Sequence, residues 1–224
     1  MGIHAAIRTE CPPPTVFMAR SSQAAEPLRT AGTVLQIGEG REICAEGGDT
    51  DVFYKVVSGV VRTCKFLNDG RRQIAAFHVA SEVFGLEMGA TRQMAAEAVS
   101  DCTLICYRRR GVELMAQTDD SISRQMLQYA MKNLAQAQDH ALLLARRGAA
   151  EKVALFLLDW HTRSERQGVI HLAMTRQEIA DYLSLTIETV SRSLSQFERD
   201  GVIALPNTRD VRLLDMDALE DLAA

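Results

Sequence analysis

The spacing of apolar residues changes near Thr118, and no fold of a single architecture accommodates both patterns. From Thr33 to Arg109, short apolar runs are separated by Gly, Asp and Asn. The runs are Thr33–Ile37, Phe53–Val57, Val60–Phe66, Gln73–Val79, Glu82–Glu87, Ala95–Ser100 and Thr103–Tyr107. Runs of this length, with Asn68-Asp69-Gly70 as a hairpin turn, predict an antiparallel barrel or roll. From Thr118 the period is helical. Leu127, Ala130, Leu134, Ala137, Ala141 and Leu144 follow 3-4-3-4-3 spacing. That spacing describes a seam between two helices, with small residues that let backbones approach. Asp119, Asp120 and Ser121 are suitable starting residues, and Gly148 marks the break.

Beyond Ala149 the chain reads as three helices, a small hairpin and a short terminal helix. Lys152 to Thr162 is apolar on one side. Thr175-Arg176-Gln177-Glu178 fits a capping box that opens a helix through Leu183. Leu185-Thr186 is the turn, Ile187 to Asp200 the next helix, and Gly201 its stop. Val202–Leu205 and Asp210–Leu213 predict a two-stranded wing, and Met216 to Ala224 an amphipathic helix. Two helices joined by a tight turn match the helix-turn-helix motif, with Ile179, Ala180, Leu183, Leu185, Val190, Leu194 and Phe197 locking them together. One face of the second helix is left outward. At its N-terminal end Ile187, Glu188, Ser191 and Arg192 share that face, the part of such a helix that enters a major groove. Arg192 can donate two hydrogen bonds to guanine O6 and N7. Glu188 can accept from cytosine N4, and Ile187 and the Ser191 methylene can touch thymine methyls.

This stretch resembles the Crp/Fnr superfamily of bacterial transcription regulators, through Glu188, Thr189, Val190, Ser191 and Arg192. The roll is similar as well, in Tyr54–Gly59, Asp69–Ile74 and Phe84–Glu87, and the FixK-like branch matches best. The resemblance covers Thr33 to Leu222. It implies an α+β chain with an N-terminal β-roll of the cyclic-nucleotide-binding jelly-roll type, a long dimerisation helix and a C-terminal winged helix-turn-helix. The expected parts are an arm at 1–30, the roll at 31–117, the dimerisation helix at 118–147 and the DNA-binding domain at 148–224. The resemblance also implies that Glu188, Ser191 and Arg192 read a TTGA half-site in a TTGAT-N4-ATCAA palindrome. Cyclic-AMP receptor proteins carry Arg before that glutamate and prefer TGTGA; here the residue is Ile187, which suits a thymine methyl.

In the family a Gly-Glu-Leu turn and an Arg-Ser/Thr pair hold cyclic AMP. This chain has Gly85-Leu86-Glu87, and its candidate Arg92 is followed by Gln93, so Arg92 is expected as a solvated surface residue and no cyclic nucleotide is expected. An iron–sulfur cluster of the Fnr type needs three clustered N-terminal cysteines and one in the roll. Only Cys11 and Cys106 qualify. His78 and Cys64 lack the supporting motif of a haem ligand, so no cofactor and no metal are expected. A small-molecule or redox effector in the roll remains the alternative. His78 is the one histidine in residues 31–118, which leaves an enzymatic, metal-binding roll without enough ligands.

Charge argues against a broad nucleic-acid surface. The net charge is −4, and residues 147–224 carry 9 basic against 13 acidic side chains. DNA binding therefore has to come from a local cluster. Phosphate anchoring falls to Arg176, Ser193, Arg209 and Arg212, and the hairpin residues Asp69, Arg71 and Arg72 are candidates for touching RNA polymerase. The expected partners are double-stranded DNA, RNA polymerase and a second copy of the chain. No apolar run is long enough to span a bilayer, no signal peptide is evident, and the odd cysteine count fits a reducing cytoplasm.

Overall fold

The computed structural model describes residues 28, 32–146, 148–163 and 168–223. The expected arm at 1–30, with Cys11, lies outside the described residues apart from Leu28, which is buried beside Phe53 and Tyr107.

Two four-stranded antiparallel sheets make the roll. The first orders β1 (Thr33–Ile37), β8 (Cys102–Arg108), β3 (Val52–Ser58) and β6 (Val83–Phe84). The second orders β2 (Glu42–Cys44), β7 (Ala95–Ala98), β4 (Val61–Phe66) and β5 (Arg72–His78). Strand β3 does not alternate: Phe53, Tyr54, Lys55 and Val56 are all buried. Its Tyr54 and Val56 face the roll interior, and Phe53 faces the cluster with Tyr107, Val112 and Ile122. A strand covered on both sides loses the inside–outside pattern. The β4–β5 hairpin turns where Asn68-Asp69-Gly70 predicts, with Phe66 opposite Arg72 and Gly70 at φ +82°.

Three short elements escaped the sequence reading. Strand β2 is three residues long, and helix α1 (Arg109–Ala116), which precedes the long helix, buries Val112 alone. A third strand, β9 (Val169–His171), pairs with β11 (Asp210–Leu213), which pairs with β10 (Ile203–Ala204). The wing is thus three-stranded, not two-stranded. Strands β2 and β9, at three residues each, are too short to show a period.

Helix α2 (Asp120–Ala145) is capped by Asp119, whose carboxylate accepts from the Ser121 N–H, and at 26 residues it is about 39 Å long. One side packs on its own roll: Ile122 and Gln125 are buried, Asn133 donates to Val83 O at 3.0 Å, and Gln136 donates to Glu82 at 2.9 Å. The other side carries the seam. Leu127, Met131 and Leu134 are 62%, 57% and 50% exposed, Ala130, Ala137 and Ala141 are exposed, and Leu144 is half-buried. Beyond α2 come α3 (Ala149–Arg163), α4 (Arg176–Leu183), α5 (Ile187–Arg199) and α6 (Met216–Ala223), which packs on α3.

One apolar cluster runs from the roll into this C-terminal part. It joins Cys64, Ile74, Phe77 and Val99 of the roll to Phe156, Leu157, Trp160, Ile179, Leu183, Leu194 and Phe197. Phe77 lies edge-on to Trp160 at 5.9 Å and tilted against Tyr182 at 5.3 Å. Phe197, on α5, is buried in the same cluster. Phe197→Ala should cost ~3–5 kcal/mol, the range for a buried aromatic truncated to Ala. Urea unfolding checks this, and a loss below about 1 kcal/mol would contradict the packing described.

Candidate nucleic-acid interface

Helix α4 starts as a capping box. Thr175 Oγ1 accepts from the Glu178 N–H at 3.3 Å, and Glu178 accepts from the Thr175 N–H at 2.6 Å. It ends at Ser184, a left-handed residue at φ +53° whose N–H returns to Ala180 O. The Thr186 hydroxyl then accepts from the Thr189 N–H and caps α5. Two caps and one left-handed residue thus set a tight turn between two amphipathic helices. Ile179, Ala180 and Leu183 of α4 and Val190, Leu194 and Phe197 of α5 are buried, and Leu185 is half-buried.

The opposite face of α5 is open. Glu188, Ser191 and Arg192 are exposed, and Ile187 is 37% exposed. Their placement one helical turn apart puts all four on one edge of the helix N-terminal half. The Glu188 carboxyl is held below the usual carboxylate range by its own backbone N–H, by the Thr186 hydroxyl and by Arg192, so it stays an acceptor at neutral pH.

The basic residues divide. Arg212 is exposed, Ser193 is half-buried and Arg176 is half-buried near Glu198. Arg209 does not project freely as a phosphate anchor. Its guanidinium donates to the carbonyls of Leu172 and Ala173, and its own carbonyl accepts from the Leu172 N–H at 2.7 Å, so it ties the wing to the segment before α4. Arg72, read as a possible polymerase contact, is likewise committed: it donates to Asp181 of α4 at 2.8 and 2.9 Å. Asp69 and Arg71 stay at the exposed hairpin tip, paired with each other at 2.7 Å. The sequence reading missed the roll-facing side of α4. Its partners lie more than 100 positions away, so no local pattern could have signalled it.

Arg92 overturns its expected surface placement. It is 3% exposed inside the roll, donates to Val52 O at 2.6 Å, approaches Glu87 at 3.4 Å and lies 5.7 Å over the Tyr54 ring. Gly85 makes room for it: at φ +82°, a Cβ there would come within 2.8 Å of the guanidinium. Arg92 is thus paired within the chain, with Glu87 as its anion. Cys64, Cys102 and Cys106 are buried, burial pushes the Cys44 thiol up to about 11, and no group of three metal-binding side chains occurs among the described residues.

His78 sits in the wall of a cavity of about 570 Å³ between β5, α2, α3 and Tyr182. Its Nε2 meets Thr63 Oγ1 at 3.2 Å, and its Nδ1 has no partner among the described residues. Burial lowers its pKa from 6.5 to about 4, with Arg163 adding to the effect and Glu82 opposing it. The unfolded chain therefore takes up a proton below pH 6.5 that the folded chain refuses until about pH 4. Stability is whole above pH 6.5 and declines as the pH falls toward 4, by about 3 kcal/mol from this residue. In His78→Leu that component should vanish. Urea unfolding of both proteins at pH 7 and pH 4.5 measures it, and parallel losses would disprove the assignment.

With the roll, the long helix and the reading face of α5 described, the molecule belongs to a class: a transcription regulator that carries a winged helix-turn-helix behind a sensor-type roll. Residues 34–119 match the cyclic nucleotide-binding domain family and residues 151–222 the Crp-like helix-turn-helix domain family. The nitrogen fixation regulation protein FixK of Azorhizobium caulinodans is 42% identical over 216 residues, covering 92% of this chain and 87% of that protein. FixK of Rhizobium meliloti is 40% identical over 183 residues, 82% of this chain and 83% of that protein. The solved structure of FixK2 from Bradyrhizobium japonicum superposes with a TM-score of 0.82 at 40% identity, covering 86% of this chain and 98% of that one. The chain belongs to the Crp/Fnr family, in its FixK-like branch, and is a DNA-binding transcription activator of that type.

Proposed function

We propose that the protein acts as a homodimer that reads a TTGAT-N4-ATCAA palindrome and needs neither a cyclic nucleotide nor an iron–sulfur cluster to do so. The observation that carries this is the open edge of α5, where Ile187, Glu188, Ser191 and Arg192 are exposed while the other side of the helix is locked into the core. Arg192 takes the guanine of TTGA, Glu188 accepts from the opposing cytosine, and Ile187 and Ser191 meet thymine methyls. Arg176, Ser193 and Arg212 anchor phosphates. With so few cations the dependence of affinity on salt is shallow.

The dimer reading is supported by the exposed seam on α2. Leu127, Ala130, Leu134, Ala137, Ala141 and Leu144 pack against the same residues of a second copy about a two-fold axis. Two recognition helices on such an axis need half-sites about one helical turn apart. The exposed hairpin tip, with Asp69 and Arg71, serves as the contact for RNA polymerase in the cytoplasm. The domains divide accordingly, with the roll at 31–117, the dimerisation helix at 118–147 and the DNA-binding domain at 148–224. The effector-free reading is supported by Arg92, which is already neutralised from within.

A second reading keeps the DNA binding and adds an effector. It is favoured by the cavity of about 570 Å³ beside His78, between β5, α2 and α3. A compound that changes DNA affinity and protects His78 variants less than the parent would select it.

Fluorescence anisotropy on aerobically purified, ligand-free protein tests the proposal, with TTGA-type and TGTGA-type duplexes as probes. Selective binding to the first is expected, and equal binding to both would refute the assignment. Arg192→Ala should cost ~1–3 kcal/mol per half-site and relax preference at the guanine. Equal losses on TTGA and on a guanine-swapped site would disprove direct readout. Leu134→Asp should abolish the dimer and weaken palindrome binding, and sedimentation showing an intact mutant dimer would refute the seam.

A further inference from the structure

Helix α4 is gripped along its length by the β4–β5 hairpin of the roll. Near its start, Glu178 pairs with Arg62, which also holds Glu97 at 2.5 Å. One turn on, Asp181 accepts a hydrogen bond from Arg72 Nε at 2.9 Å and is ion-paired with its Nη2 at 2.8 Å. At its end, the Ser184 hydroxyl donates to Gln73 at 2.9 Å, and Gln73 reaches Tyr182 O at 3.4 Å. Between these polar contacts Tyr182 is a junction. Phe77 packs on it from the roll, Phe156 from α3, and His140 of α2 stacks on its ring at 4.1 Å and 7° while its Nε2 meets the Tyr182 carbonyl at 3.0 Å.

A continuous path of contacts therefore leads from the seam helix to the recognition helix. It runs from α2 through His140 to Tyr182, along α4, and through the buried contacts of Ile179, Ala180 and Leu183 into α5. No part of the grip covers the reading edge: Ile187, Glu188, Ser191 and Arg192 stay exposed while α4 is held. A contact that leaves the reading face open yet fixes its direction does not act as a block.

We infer that Arg62, Arg72 and Gln73 of the roll are positioning residues for DNA recognition: by clamping Glu178, Asp181 and Ser184 they set the distance and angle between the two recognition helices of the dimer, and so select the spacer between half-sites. This rests on the homodimer reading above. The physical reason is preorganisation. Two reading heads on a rigid frame bind a palindrome of matching spacing without a further loss of freedom, whereas heads on loose tethers bind each half-site almost independently. The clamp also gives a chain with a self-neutralised Arg92 a standing means of holding its DNA-binding domain in one pose.

The test uses the full chain and leaves Arg62–Glu178 intact, because Glu178 also closes the capping box. Arg72→Asp, Asp181→Arg and the double charge swap are compared with the parent on duplexes carrying N4, N5 or N6 spacers and on a single half-site. Each single variant should lose ~10-fold or more in affinity for the N4 palindrome and most of the preference for N4 over N6, with half-site affinity within about twofold. The double swap should restore both. Circular dichroism and sedimentation show that each variant is folded and dimeric. Unchanged spacer preference in folded, dimeric single variants would overturn the inference, as would tighter N4 binding, which would make the clamp inhibitory. If the parent itself is monomeric, the dimer reading fails and the inference falls with it, whereas a dimeric parent that ignores the spacer overturns the inference alone.

Discussion

Phe77 is the side chain on which the arrangement of this molecule turns. It projects from strand β5 into the gap between Trp160 and Tyr182, and so joins Cys64 and Ile74 of the second roll sheet to the core of the DNA-binding region. Around it lies a ring of charge. Arg163 donates to the Phe77 carbonyl and to Glu82, stacks over Trp160 at 5.1 Å and pairs with Asp159. Glu82 in turn accepts from Lys132 and Gln136 of α2. Burial alone would raise the Glu82 carboxyl, but Arg163, the Val79 N–H and Lys132 hold it below the ordinary range, so the network keeps its charges. Ion pairs buried in this way add little net stability, because desolvation cancels most of the attraction. What they contribute is direction: an apolar contact alone would let the two bodies slide.

The same logic explains how an acidic protein serves DNA. The excess of negative charge in residues 147–224 does not lie on the reading edge as a whole. Several of those carboxylates are already engaged. Glu178 and Asp181 face arginines of the roll, Glu198 accepts from the Leu205 N–H, and Asp210 meets His171. An acidic residue paired within the protein repels a phosphate far less than an unpaired one. Glu188 is the acidic member of the reading edge, and its low pKa suits it to accept from a cytosine amine.

The roll matches the cyclic nucleotide-binding domain family, and its Arg92 is satisfied from within the chain. A guanidinium buried at 3% exposure needs an anion and acceptors, or it would be costly to fold around. Glu87 and the Val52 carbonyl provide them, and the Tyr54 ring covers one face. Gly85 is needed because any side chain would strike that guanidinium. The one-place shift that put Leu86 between Gly85 and Glu87 thus goes with an arginine satisfied from inside the chain.

Local chemistry was enough to make α4, its turn and α5 legible in the amino-acid sequence, because caps, left-handed termini and helical period act over a few residues. Most of the roll strands and the apolar stripe of α2 were legible for the same reason. Short elements were not: β2, α1 and β9 depend on neighbours brought from elsewhere. Side-chain fates were legible least. Arg72, Arg92 and Arg209 look alike on paper, as cations in polar surroundings. The tertiary structure gives one to Asp181, one to Glu87 and Val52, and one to the Leu172 and Ala173 carbonyls. A sequence by itself determines which residues can read a base edge, since that follows from side-chain chemistry and position on one helix. Which cations are left to hold a phosphate, and where the reading helix points, are decided only when distant segments meet, because a charge binds whichever opposite charge folding delivers to it.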